Sequence, residues 1–222
     1  MGVEGKLVVI AGATSDSGRA AARELTAAGA RVVAVGRDAE KLRALPDGRA
    51  EVCDLTDEVA VAALAERVHD AEGAVDGVLH LVGGWRGGGG LAGQSDADFR
   101  FLEASFTALR HVSRAFDADL CASEAGRLAV VSSTAVARPL AGGANYAAVK
   151  AATEAWARAV GQGFAKDARD AGREVSAASV ILRVQSLAGL ENELAQRFVG
   201  LWTTPAAEIN DTIVELNEIG HP

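Results

Sequence analysis

Tyr146 is the only tyrosine in a chain of 222 residues, and Lys150 follows it four positions later. On a helix, an i, i+4 pair shares one face, so both side chains can meet the same ligand. A phenol titrates near ~10, too high for easy proton exchange at neutral pH, and a neighbouring ammonium favours the phenolate. The pair therefore reads as an acid/base device in which Tyr146 handles the proton and Lys150 tunes it. The plainer reading is a tyrosine and a lysine on an amphipathic surface helix. Against it, four lysines (Lys6, Lys41, Lys150 and Lys166) among 222 residues leave about a 2% chance of one landing there by accident. Ser133 lies thirteen residues before Tyr146, at the end of an apolar run. Its hydroxyl is placed to hydrogen-bond a carbonyl oxygen on which negative charge develops.

A second group of residues could hold an anion. Ala11-Gly12-Ala13-Thr14-Ser15-Asp16-Ser17-Gly18-Arg19 stands between the first apolar run and the first helical stretch. A glycine-bearing turn there lets the backbone approach a pyrophosphate, which then rests on the unpaired N–H groups of the helix N-terminus. Small residues also serve plain strand–helix packing, so the position after a first strand carries the argument.

These residues need elements to place them. Short β-branched runs at residues 6–11, 31–35, 50–53, 77–82, 128–132 and 175–182 read as strands. Helical stretches fall at 18–28, 38–45, 57–72, 96–120 and 144–171. Near-continuous apolar strands separated by helices imply a mostly parallel sheet covered on both faces. The expected fold is α/β: one doubly wound Rossmann-type domain over residues 1–222 with about six strands. Ser95 and Asp98 form a capping box for the helix from Asp96, and Pro205 is placed to open a final helix. Gly83-Gly84-Trp85-Arg86-Gly87-Gly88-Gly89-Gly90 follows the fourth strand, where open α/β sheets place their ligands. It reads as a flap over the cleft, or more plainly as a tolerated floppy insertion.

Composition bounds the rest. A net charge of −8 with dispersed acids shows no basic stripe, which argues against a nucleic-acid partner. No apolar run reaches the ~18 residues of a membrane span, and no basic-then-apolar leader opens the chain. The four histidines (His69, His80, His111, His221) lack metal-ligand spacing, so no metal is expected. Two cysteines, Cys53 and Cys121, read as reduced thiols of a cytoplasmic protein.

From residue 5 to residue 182 the order of features resembles the short-chain dehydrogenase/reductase family: glycine turn, Asp54 after the third strand, Ser133 at a strand end, then Tyr-x-x-x-Lys. The resemblance implies hydride transfer between a nicotinamide cofactor and a small-molecule carbonyl or alcohol. It makes Tyr146 the proton donor or acceptor, Ser133 the orienter of the substrate oxygen, and Lys150 the holder of the nicotinamide ribose. Ser105 falls where the family has an asparagine that supports a proton-relay water. The cofactor is expected against Gly12, Thr14, Ser15, Asp16, Ser17, Gly18, Arg37, Asp54, Leu55, Val82, Gly83, Tyr146 and Lys150. NADP(H) is expected over NAD(H), because Gly36 stands where NAD-preferring relatives carry an acid, and Arg37 follows it.

The sequence departs from the family pattern in several places. Asp16 replaces the middle glycine of the turn, and His80-Leu81-Val82-Gly83 replaces Asn-Asn-Ala-Gly. The Pro-Gly after the sixth strand is missing, and the chain stops where many relatives continue into a seventh strand. These changes keep open a non-redox acid/base reaction (dehydration, cyclisation or isomerisation) or a non-catalytic nucleotide-binding role. The substrate is expected to be bulky and hydrophobic, between Trp85-Arg86, residues 135–143 and residues 183–201, with Leu187, Leu190, Phe198 and Trp202 as apolar walls. Those residues could equally pack the last helices on the sheet. A homodimer through helices 96–120 and 144–171 is the expected assembly.

Overall fold

Leu7-Val8-Val9-Ile10-Ala11 has no polar side chain to offer water, and all five residues are buried. A strand apolar on both faces belongs in the middle of a sheet. In a computed structural model describing residues 2–45 and 48–216, this strand, β1 (Leu7–Ala11), is central. The others are β2 (Arg31–Gly36), β3 (Arg49–Val52), β4 (Gly77–His80), β5 (Arg127–Ser133), β6 (Ala178–Val184) and β7 (Thr212–Glu215). They form a seven-stranded sheet in the order β3-β2-β1-β4-β5-β6-β7. Every neighbouring pair is parallel. The strand order reverses at β1, which has β2 on one side and β4 on the other. The carboxyl ends of β1 and β4 thus flank the crevice where such sheets bind ligands.

Helices cover both faces. On one side α1 (Asp16–Ala27) and α7 (Glu191–Gly200) contribute Leu25, Leu194 and Phe198 to an apolar cluster that also holds Trp202. On the other, α3 (Glu58–Glu72), α4 (Asp96–Ala115) and α6 (Ala144–Asp170) contribute Leu64, Leu109 and Phe164. Each of these large side chains is worth about 1.5–3 kcal/mol when fully buried. The short helices α2 (Ala39–Arg43), α5 (Asp117–Ala122) and α8 (Ala206–Ile209) complete the set. Among the described residues, no helix is long and apolar enough to cross a membrane.

Three expectations are corrected. The chain does form a seventh strand: Thr212-Ile213-Val214-Glu215 pairs with β6, launched by Asp211 at a φ of 61°. The stretch 96–120 is two helices, because the backbone at Phe116 (φ −111°, ψ 9°) ends α4 before α5 begins. Pro205 precedes rather than enters α8, and that helix is a single turn. Helix α7 has Leu190 at its N-cap position, which makes no side-chain cap bond.

Candidate active site

The β1–α1 turn is drawn tight by contacts that tolerate only glycine. Gly12 has a φ of +91°, and a Cβ there would lie 2.9 Å from the Val82 nitrogen. A Cβ on Gly18 would lie 2.5 Å from the Ala13 carbonyl oxygen, so α1 packs directly against the turn. Ser15 caps α1 by accepting from Gly18 N at 3.0 Å. Ser15 and Ser17 line a cleft of about 1190 Å³ that continues past Val82 and Gly83 to Ser133, Tyr146 and Lys150. Asp16 is exposed, and its carboxylate pairs with Arg19, which also donates to the Thr14 carbonyl at 2.6 Å. Asp16 is not among the residues that line the cleft.

At the far end, Ser133 closes β5, and α6 carries Tyr146 and Lys150. Lys150 Nζ donates to the Val131 carbonyl at 2.8 Å and lies 5.8 Å from the Tyr146 ring centre. Burial lowers the Lys150 ammonium to about 8, with the carboxylate of Glu154 opposing the shift. Burial raises the Tyr146 phenol, with the Ser133 hydroxyl pulling the other way. Burial of a phenol favours its neutral form.

Ser105 is buried, and its hydroxyl donates to the Leu102 carbonyl at 2.6 Å. Its own carbonyl meets His80 Nε2 at 3.1 Å. The Ser105 side chain therefore does not line the cleft; His80 does.

At the end of β2, Gly36 is hemmed in, since a Cβ would lie 3.0 Å from Thr14 Cγ2. Arg37 is exposed beside a second, smaller hollow that it shares with Thr14, Asp38 and Lys41. Asp38 caps α2, accepting from Glu40 N at 3.0 Å and Lys41 N at 3.1 Å, and those bonds hold its carboxyl below the usual range. Asp54 is occupied locally, accepting from Thr56 N at 3.0 Å and Thr56 Oγ1 at 2.7 Å. Leu55 is buried, and its carbonyl meets His111 Nδ1 at 3.2 Å.

The glycine-rich segment is tied down. Gly88 N donates to the Gly142 carbonyl at 2.7 Å, in the lead-in to α6. Gln94 Nε2 donates to the carbonyls of Gly88, Gly90 and Gly142, while its Oε1 accepts from Asn145 N at 3.1 Å. Trp85, Arg138, Leu140 and Leu187 line the outer cleft. Leu190, Phe198 and Trp202 are core residues instead: Phe198 and Trp202 stack edge to face at 5.2 Å. Trp202 also sits where a Cβ on Gly77 would fall, 2.8 Å from its ring. His80 stood out in the sequence only as a departure from the family pattern, and Gln94 and the Glu154–Arg183 pair were not singled out. Only the polar character of Glu154 on an otherwise apolar face hinted at that pair.

These residues fit a dinucleotide: a tight glycine turn at a helix N-terminus, a long cleft and a buried ammonium at its far end. The family model for short chain dehydrogenase matches residues 6–169. The 2,3-dihydro-2,3-dihydroxybenzoate dehydrogenase of Bacillus subtilis is 30% identical over 172 residues, covering 72% of this chain and 64% of that protein. The 3-oxoacyl-[acyl-carrier-protein] reductase of Salmonella typhimurium is 26% identical over 156 residues, 68% of this chain and 64% of its own. This chain thus matches 64% of the length of those two relatives. Among solved structures, a metagenomic short-chain oxidoreductase in complex with NADP superposes with a TM-score of 0.83 at 27% identity, over 97% of this chain and 98% of that one.

Proposed function

Because the chain belongs to the short-chain dehydrogenase family, we propose that it is an NADP(H)-dependent oxidoreductase acting on a bulky, largely hydrophobic carbonyl or alcohol. One observation carries this reading: Ser133, Tyr146 and Lys150 open onto the same cleft as the N-terminus of α1. The cofactor, when bound, supplies or accepts the hydride. The chain's own residues do the rest. Tyr146, neutral at rest, donates a proton to the substrate oxygen, and Ser133 hydrogen-bonds that same oxygen. Lys150 places a positive charge beside both and beside the ribose. Ser15, Ser17 and the first amides of α1 receive the pyrophosphate. Arg37 and Lys41 lie at the adenosine end, where the extra phosphate of NADP(H) would sit.

Trp85, Leu140 and Leu187 support an apolar substrate, and a relative named as a 3-oxoacyl reductase supports a carbonyl. We read the assembly as a homodimer through α4 and α6, and the compartment as the cytoplasm, in keeping with the free Cys53 and Cys121. Purified protein should change NADPH absorbance with members of a ketone and aldehyde panel graded by size. Failure to bind either nicotinamide cofactor by fluorescence titration would sink the proposal.

A further inference from the structure

His80 ends β4 and is 4% exposed. Its Nε2 faces the Ser105 carbonyl, which can only accept, so Nε2 carries the proton and Nδ1 is left as a lone-pair acceptor. That Nδ1 is fully enclosed and has no partner among the described residues. A buried polar atom left unpaired is costly, so its persistence calls for a partner from the cleft side. Lys150 is the donor at hand. Its ammonium has three N–H groups and spends one on Val131. His80 and Lys150 line the same cleft, and the chain leaving β4 passes Lys150 so closely that a Cβ on Gly83 would lie 3.8 Å from Nζ.

We propose that His80 is a positioning residue whose Nδ1 accepts a hydrogen bond from Lys150 Nζ when the ammonium turns a free N–H toward it, holding the ammonium near Tyr146. This rests on Lys150 serving the acid/base reaction. The ring is not a proton conduit, because its Nε2 proton is held by a carbonyl that cannot pass it on. It is a fixed acceptor. Burial and the Lys150 charge keep the ring neutral down to about 3, so the acceptor persists across the physiological range. The other charged group acting on Lys150 is Glu154, on the same helix and itself bonded to Ser132 and Arg183. From α4, the contact to His80 is the uncharged Ser105 carbonyl.

Nitrogen-15 NMR of the histidine-labelled protein tests this without any substrate. We expect His80 to hold the Nε2–H form from pH 5 to 9, with its Nδ1 signal moving as Lys150 titrates, and that movement to vanish in Lys150→Met. An Nδ1 signal indifferent to both the titration and Lys150→Met overturns the proposal. In activity assays, His80→Phe should move the alkaline limb of kcat down by about one pH unit, and His80→Gln, which keeps a donor and an acceptor, should restore it. An unmoved limb in a folded His80→Phe protein also overturns it. Should the Phe variant fail to fold, the NMR result decides. Absence of redox turnover alongside a positive NMR result would refute the proposed function and leave this inference standing.

Discussion

Glu154 receives Arg183 as a two-pronged partner, with Nη2 at 2.8 Å from Oε2 and Nε at 3.1 Å from Oε1, while Ser132 Oγ also donates to Oε1 at 2.7 Å. One carboxylate on α6, one turn beyond Lys150, is thereby tied to β5 beside Ser133 and to β6. The relative placement of Ser133, Tyr146 and Lys150 follows from this anchor as much as from the sheet. Both charged side chains are largely enclosed, at 8% and 14% exposure. Removing one partner leaves the other charge poorly compensated, since only Glu215, 3.7 Å away on β7, remains for Arg183. Glu154→Ala should lower unfolding stability by about 3–5 kcal/mol, read from urea denaturation, with Glu154→Gln losing less. A loss under ~1 kcal/mol would mean that the anchor is decorative.

Tyr146→Phe removes one hydroxyl and almost no volume. If that hydroxyl delivers the proton, turnover should fall by orders of magnitude while cofactor affinity stays within about twofold, because the interaction lost belongs to the transition state. Lys150→Ala should damage both quantities. Steady-state kinetics with parallel fluorescence titration separates the two cases. A Tyr146→Phe enzyme within a few-fold of the parent would take Tyr146 out of the reaction.

Two buried bases both make stability rise with pH, each in its own window. His80 is lowered from 6.5 to about 3, so the unfolded chain takes up a proton there before the folded one does. Stability should therefore drop as pH falls from about 6.5 toward 3. Lys150 is lowered from 10.5 to about 8, so the folded state releases its proton first, and its contribution to stability rises between those values. Urea melts at pH 5 and pH 7 should show a smaller acid loss for His80→Gln than for the parent. Cofactor affinity should weaken as pH climbs through about 8, and Lys150→Met should abolish that limb.

Much of this architecture could be read from periodicity. The runs feeding β1 and β2 and the Tyr-x-x-x-Lys helix are long or distinctive, and the capping box at Ser95 and Asp98 marked the start of α4 correctly. What escaped was governed by tertiary context. Helix α7 begins at Leu190 without a capping side chain, and β7 is four residues long. The break at Phe116 uses neither glycine nor proline, so nothing local announced it. At the site, the meeting of Tyr146 and Lys150 on one cleft was legible from spacing, whereas the burial around Tyr146 was not. Its phenol responds to burial, and burial depends on the surrounding chain. His80 was visible in the sequence as a departure from the family pattern, but its bond to the Ser105 carbonyl and its unpaired Nδ1 appear only in the fold.

Cofactor choice turns on the end of β2. A carboxylate there would accept hydrogen bonds from both adenosine ribose hydroxyls and repel a 2′-phosphate. Position 36 has no such group, and an acid placed there would first have to displace Thr14, 3.0 Å from the Cβ site. The nearest alternative, Asp38, is committed to the first amides of α2 and lies 3.7 Å from Lys41. Arg37 is exposed at the mouth of the hollow with Lys41 beside it. A guanidinium in that position meets phosphate with a planar fork, but solvent screening keeps its contribution at the lower end of charge-assisted bonds, about 1.5 kcal/mol. Arg37→Ala should accordingly weaken NADPH binding by roughly tenfold while leaving NADH nearly unchanged. Titration of both cofactors against the parent and the variant at fixed ionic strength gives the answer. Equal losses for the two cofactors, or tighter NADH binding by the parent, would assign the phosphate to some other residue or to none.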